Sequence, residues 1–160
     1  MIISKGFTLI ELLITISVVS VGIAGAFIAV QQGISSIEYC NSRFTAALLA
    51  QEGVEVIKNI RDTNILDGSL WDDGLSNGDY QVQYIFPFIA SYTDKYLIKD
   101  PDNFYNYISG DDTKFKRKVK IISTADPDHK ELEITVSWRK RGGGNHQLIL
   151  RQDIYNWLNV

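Results

Sequence analysis

The chain has a single cysteine, Cys40, in 160 residues, so an internal disulfide is excluded and no thiolate cluster exists to hold a metal. Proline is equally scarce: the first of three is Pro87, and nothing before it forces a helix to break. Excess positive charge is missing as well. A net charge of −3 argues against the uniformly basic face that nucleic acid requires. The two histidines, His129 and His146, fall in or beside expected turns without a second ligand at metal spacing, and read as solvated surface residues. No nucleophile stands next to a base. The glycines Gly142 to Gly144 lead into a strand and not into a helix N-terminus, which removes a phosphate cradle. These absences leave no catalytic group, no cofactor and no metal to assign, and the chain reads as a non-enzyme. With 45% hydrophobic and 22% charged residues it is nonetheless composed like a folded protein of about one domain, held together by apolar burial.

The most telling shortage is local. Between Phe7 and Val30 the one ionisable side chain is Glu11. That run makes about 36 Å of helix, enough for a hydrocarbon core of about 30 Å. Gly22 and Gly25 lower helix propensity in water but are common in membrane helices. A carboxylate at a bilayer centre costs about 2.5–3.5 kcal/mol on insertion scales. A plain anchor leaves that cost unexplained, unless Glu11 reaches the headgroups of a nearby membrane face. A secretory signal peptide is a second reading, with Lys5 as its basic region and Ala24-Gly25-Ala26 as a small-x-small cleavage site. Glu11 at the front of the apolar region argues against it.

A third reading accounts for Glu11. The stretch KGFTLIELLITISVV, Lys5 to Val19, resembles the N-terminal signature of type IV pilins and of the pseudopilins of type II secretion. The matching residues are Lys5, Gly6, Phe7, Thr8, Leu9, Ile10 and Glu11, followed by an apolar helix. The resemblance implies that a prepilin peptidase cuts between Gly6 and Phe7 and that Phe7 becomes the N-methylated first residue. Residues 1–6 would be the leader, kept cytoplasmic by Lys5. Glu11 would meet the terminal amine of a neighbouring subunit, turning two charges that are costly in an apolar medium into a pair that sets subunit register. The implied partners are the peptidase, other pilin or pseudopilin subunits, an inner-membrane assembly platform, and the lipid bilayer before assembly.

Beyond the apolar run, helical periodicity continues to about Arg61. Residues 7–30 read as the transmembrane or filament-core segment, and 31–62 as an amphipathic continuation. Cys40, Phe44, Ala47, Leu48, Val54, Ile57 and Ile60 form its expected buried stripe, and Glu55 with Lys58 makes a favourable (i, i+3) pair. Gly53 is a weak point in it. Residues 63–160 read as a β-rich extracytoplasmic head. Tyr80, Val82, Tyr84 and Phe86 alternate with Gln81, Gln83 and Ile85; Leu132, Ile134, Val136 and Trp138 alternate with Glu133, Thr135, Ser137 and Arg139. Phe115, Val119 and Ile121 oppose Lys116, Lys118 and Lys120, and a last strand starts near Gln147 after a glycine turn. The expected fold is α+β and pilin-like, with a long N-terminal helix packed on a small antiparallel sheet.

Two looser patches, ALLAQEGVEVIKNIRD and TVSWRKRGGGNHQLILRQDIYNW, resemble minor pilins and I-type minor pseudopilins. Ile28 stands where many major pilins have proline, and the lone Cys40 leaves no C-terminal disulfide loop; both point away from a major pilin. A pilus, a secretion pseudopilus and a competence filament fit equally at this level. The alternative function is a filament-tip module that captures DNA or a surface ligand through Lys116, Lys118, Lys120, Arg139, Lys140 and Arg141, with Tyr105 and Tyr107 supplying stacking. Against it stands a lysine-guarded, solvated strand face. The oxygen-rich stretch Asp72 to Asp79 reads as an acidic turn, with calcium binding as the alternative.

Overall fold

The computed structural model describes residues 6, 8–84, 88–140 and 143–158. Among them one helix, α1 (Leu9–Leu66), precedes eight strands: β1 (Gly78–Gln83), β2 (Phe88–Ser91), β3 (Ile98–Lys99), β4 (Tyr105–Asn106), β5 (Asp111–Asp112), β6 (Phe115–Ser123), β7 (His129–Arg139) and β8 (Asn145–Tyr155). The chain divides into two compact units, Met1–Asn41 and Ser42–Val160.

In the first unit every described residue is exposed, including the aliphatic side chains from Leu9 to Ile37. A helix that is apolar all round and has no protein cover suits an apolar solvent or the helices of other chains. Two of its hydroxyls are satisfied internally: Thr15 Oγ1 donates to the Glu11 carbonyl (2.7 Å) and Ser17 Oγ to that of Leu13 (2.8 Å). Neither hydroxyl needs water as a partner.

The second unit is α+β, as expected from the alternation. A five-stranded antiparallel sheet, ordered β2-β1-β6-β7-β8, shares one core with the helix from Ala46 to Ile65. Leu49, Ala50, Val54 and Ile57 meet Val82, Val119, Ile121, Leu132, Ile134 and Val136 there. The inward and outward sides of β6 and β7 follow the sequence pattern, because an uninterrupted register from Phe115↔Trp138 to Ser123↔Lys130 keeps the two pleats in step.

The helix turns a different face inward than its apolar periodicity suggests. Cys40 and Phe44 are exposed, Phe44 at 67%; Leu48 is exposed at 50% and Ala47 is half-buried. Val54 and Ile57 are buried and Ile60 partly so. The buried face runs through Ser42, Ala46, Leu49, Ala50 and Gly53. Small side chains allow the sheet to approach the helix backbone closely, and apolar count alone does not register that. Gly53 marks the closest approach. A Cβ there would lie 3.4 Å from Arg117 Cδ and Ile134 Cγ2, in van der Waals contact, so there is little room for any larger side chain. The helix also runs past Arg61 to Leu66. There the Asn64 side-chain amide donates to the carbonyls of Trp71 and Asp73 (3.4 and 2.8 Å) and folds the following turn back onto it.

Three short strands, ordered β4-β3-β5, form a second sheet in the stretch between Pro87 and Lys114. Strands of two residues offer no alternation to detect, so pattern reading finds only a connection there. Gly110 holds this sheet together: its φ is +136°, and a Cβ would fall 2.2 Å from the Lys99 carbonyl oxygen. The segment covers the end of β1, where the Tyr107 N–H donates to Gln83 Oε1 (3.3 Å). Gln83 is consequently buried beside Val82, and the expected continuation through Tyr84 ends in an exposed turn. Phe86 lies outside the described residues.

Apolar burial is not the whole of the core. Arg117, on the inward side of β6, is fully buried. Its guanidinium donates to the carbonyls of Leu49 (2.9 Å) and Val82, and Nη1 lies 3.2 Å from Glu52 Oε1. The ion pair falls short of a directed hydrogen bond, and Arg117 Nε has no hydrogen-bond partner among the described residues. One cation thus ties the helix to two strands. Breaking such a pair from one side is far costlier than the pair's net contribution.

Candidate functional site

Gly6 is exposed and lies outside the helix; Lys5 and Phe7 lie outside the described residues. The helix starts behind a cap. The Thr8 carbonyl accepts the Leu12 N–H (3.2 Å) and Thr8 Oγ1 accepts the Glu11 N–H (3.3 Å). Thr8 and Glu11 therefore stand at the first and last positions of a T-x-x-E capping box. Glu11 is the acidic residue of the first turn, where the helix dipole favours negative charge. That is a local reason for a carboxylate here, additional to any pairing between chains. Between Phe7 and Val30 no Lys, Arg or His is present to neutralise it. The helix behind it is long and apolar enough to cross a membrane.

The basic residues divide into two groups. Lys118 pairs with Asp79 (3.4 Å), and the strand register sets Lys120 opposite both Asp79 and Glu133, while Arg151 also binds Glu133 (2.8 Å). This part of the sheet is a mixed-charge face. The second group gathers around Tyr96. Lys116 Nζ lies 4.6 Å above that ring and 2.7 Å from Asp94 Oδ2, and Arg139 stacks at 5.7 Å and donates to the Tyr96 hydroxyl (3.0 Å). Lys140 follows Arg139 in the chain, and Arg141 lies outside the described residues.

Tyr105 and Tyr107 do not serve this surface. Tyr105 packs edge-on against the buried Phe115 ring, and the Tyr107 hydroxyl donates to the Arg117 carbonyl (3.1 Å). Burial raises both phenols above the usual tyrosine value. They face inward because β4 closes over the β1 end of the core. Tyr96 takes the aromatic place instead. It sits in a segment with no periodicity, and only its sequence neighbour Lys95 hinted at a basic setting.

A loop of the head is pinned by Asp94, whose backbone has φ +54°. Hydrogen bonds from Lys116 and from the Tyr92 hydroxyl (2.7 Å) hold this carboxyl below its usual range. Burial, with Asp94 second, pushes Tyr92 well above the ordinary tyrosine value. At the other end of the head, burial pulls Asp62 upward. Hydrogen bonds from Arg61 and the Trp157 indole (3.0 Å) outweigh it and leave the carboxyl lowered.

The acidic stretch from Asp72 to Asp79 does not converge on one point. Asp72 pairs with Lys130 (3.0 Å) and Asp79 with Lys118. The histidines lie at strand ends beside turns, as expected, but they are packed. His129 stacks on Tyr155 at 4.5 Å with Nε2 2.9 Å from Asp153 Oδ1, and His146 tilts against Trp138 at 5.6 Å. They occupy opposite ends of the β7–β8 ladder.

Residues 1–27 match a family model described as the prokaryotic N-terminal methylation motif. It is the signature of type IV pilins and pseudopilins, and it implies processing by prepilin peptidase and assembly with other subunits. Among curated proteins and solved structures, nothing matches the chain.

Proposed function

We propose that the chain is a structural filament subunit, a minor pilin or minor pseudopilin. It is made as a single-pass precursor with a cytoplasmic N-terminus and an extracytoplasmic head. Prepilin peptidase trims it between Gly6 and Phe7, and Phe7 is methylated. The observation that carries this reading is a lone carboxylate, Glu11, in the first turn of an uncovered apolar helix and within the residues that match the methylation motif. Trimming creates an ammonium at Phe7, one helical turn from Glu11. Inside a bundle of such helices both charges are costly alone, and a neighbour's ammonium satisfies the carboxylate only in the correct axial register. Ile28 and the lone Cys40 support a minor over a major subunit.

Mass spectrometry of the mature N-terminus is the decisive test. A chain that starts at Phe7 and carries one added methyl is expected; a chain that starts after Ala26 makes the segment a signal peptide. Glu11→Ala is expected to enter the membrane and be trimmed normally, while its share in sheared filaments collapses. Unchanged incorporation would remove the pairing role.

A further inference from the structure

The head is charge-segregated from end to end. At the end where the helix joins it, Lys114 Nζ donates to Ser42 Oγ (2.8 Å), the Arg139 N–H reaches the Lys114 carbonyl (3.4 Å), and Lys116 and Arg139 flank Tyr96. Arg43, Lys95 and Lys140 adjoin these residues in sequence, and Arg43, Lys95, Lys114, Arg139 and Lys140 are all exposed. Carboxylates near these residues include Asp94, which is engaged by Lys116, Asp111 and Asp112 on β5, and Glu38 one helical turn before Ser42. The opposite end, where β7 begins, is acidic. There Asp72 holds Lys130, Asp128 holds Asn156 and Asp62 holds Trp157.

We infer that the Ser42 end of the head docks on anionic lipid headgroups of the membrane that holds the apolar helix. The inference rests on the membrane-anchored reading above. Connectivity limits the distance: Ser42 follows Val30, the last residue of the apolar run, by 12 positions in the chain. The Lys140 N–H donates to the Gly144 carbonyl (3.0 Å) after β7, which keeps Lys140 beside Arg139 at the basic end. Lys and Arg side chains extend the reach, and attraction to an anionic surface acts across about one Debye length, roughly 8 Å at physiological salt. Tyr96, an amphipathic ring between two cations, suits the headgroup layer. Nucleic acid would need base-stacking rings free on this surface, and Tyr96 is already covered by Lys116 and Arg139. Docking would hold a newly inserted head against the bilayer until assembly lifts it away.

The test uses the full chain, with Cys40→Ser and a fluorophore on Asn145→Cys, in nanodiscs whose lipid headgroups carry a quencher. Phosphatidylcholine alone is compared with phosphatidylcholine plus phosphatidylglycerol. Quenching should rise with phosphatidylglycerol and fall again at high salt. The triple variant Lys114→Gln/Arg139→Gln/Lys140→Gln should lose the lipid-dependent part, while Lys118→Gln/Lys120→Gln on the mixed-charge face should keep it. Circular dichroism confirms that each variant is folded. Equal quenching in both lipids overturns the inference, as does a triple variant that behaves like the parent. Salt-sensitive binding of a DNA oligonucleotide without any lipid response would make the surface a nucleic-acid site and likewise overturn it. A chain that fails to enter the nanodisc at all overturns the membrane reading instead.

Discussion

Two parts of one helix obey opposite rules. From Leu9 to Asn41 every residue is exposed, and up to Val30 the side chains are mostly apolar; from Ser42 to Leu66 one face is buried against a sheet. Backbone geometry does not distinguish them, since both belong to a single helix of 58 residues. What differs is the partner. From Leu9 to Val30 the first part is exposed throughout, so its apolar surface suits lipid or other helices. The second has its partner in cis, a sheet whose inner face is aliphatic. Conformational stability therefore resides in the second part, and assembly chemistry in the first. Changes in one should leave the other's behaviour intact.

The sharpest separation is expected at Arg117. Arg117→Ala strands Glu52 and two carbonyls in the core and should cost about 3–5 kcal/mol. Urea unfolding of the head in detergent would show this, with membrane insertion unchanged. Arg117→Met, which keeps the volume, should lose less. Leu49→Ala and Leu48→Ala, sequence neighbours of which the first is buried and the second exposed, test its phase directly. The first should cost about 2–5 kcal/mol and the second within about 0.5 kcal/mol. Equal effects would mean the sheet covers a different face. Gly53→Val should destabilise by about 1–3 kcal/mol, because the added carbons meet Arg117, Ile134 and Val119.

The smallest effect concerns Asp94. Its carboxyl is lowered in the folded head, so its contribution to stability is present above the ordinary value of 3.8 and disappears as pH falls through the lowered folded value. The parent and Asp94→Asn should therefore differ in urea midpoint at neutral pH and coincide in strong acid. A difference that persists in acid would assign the effect to the Asp94 backbone and not to its charge.

Legibility followed the range of the interactions. Glu55 and Lys58 are paired at 3.4 Å as their spacing indicates, and β6 and β7 present the expected faces, because both patterns are set by neighbours along the chain. Arg117 escaped notice because it occupies an inward position among lysines. The acceptors that make it tolerable, Leu49 O, Val82 O and Glu52, come from three distant places. Tyr105 and Tyr107 were assigned to the wrong side for the same reason. Nothing adjacent in sequence announces that a second sheet folds over β1.

From its order of residues alone the chain determined a methylation motif, a lone Glu11 in an apolar run, one long helix and the alternation of its main strands. These are properties of periodicity and local chemistry, and every copy of the sequence carries them whatever surrounds it. Only the tertiary structure decided which helix face meets the sheet, where a buried arginine finds its acceptors, and which cations gather around Tyr96. Those outcomes depend on close approach between segments far apart in the chain, where small side chains and carbonyl oxygens count as much as hydrophobicity.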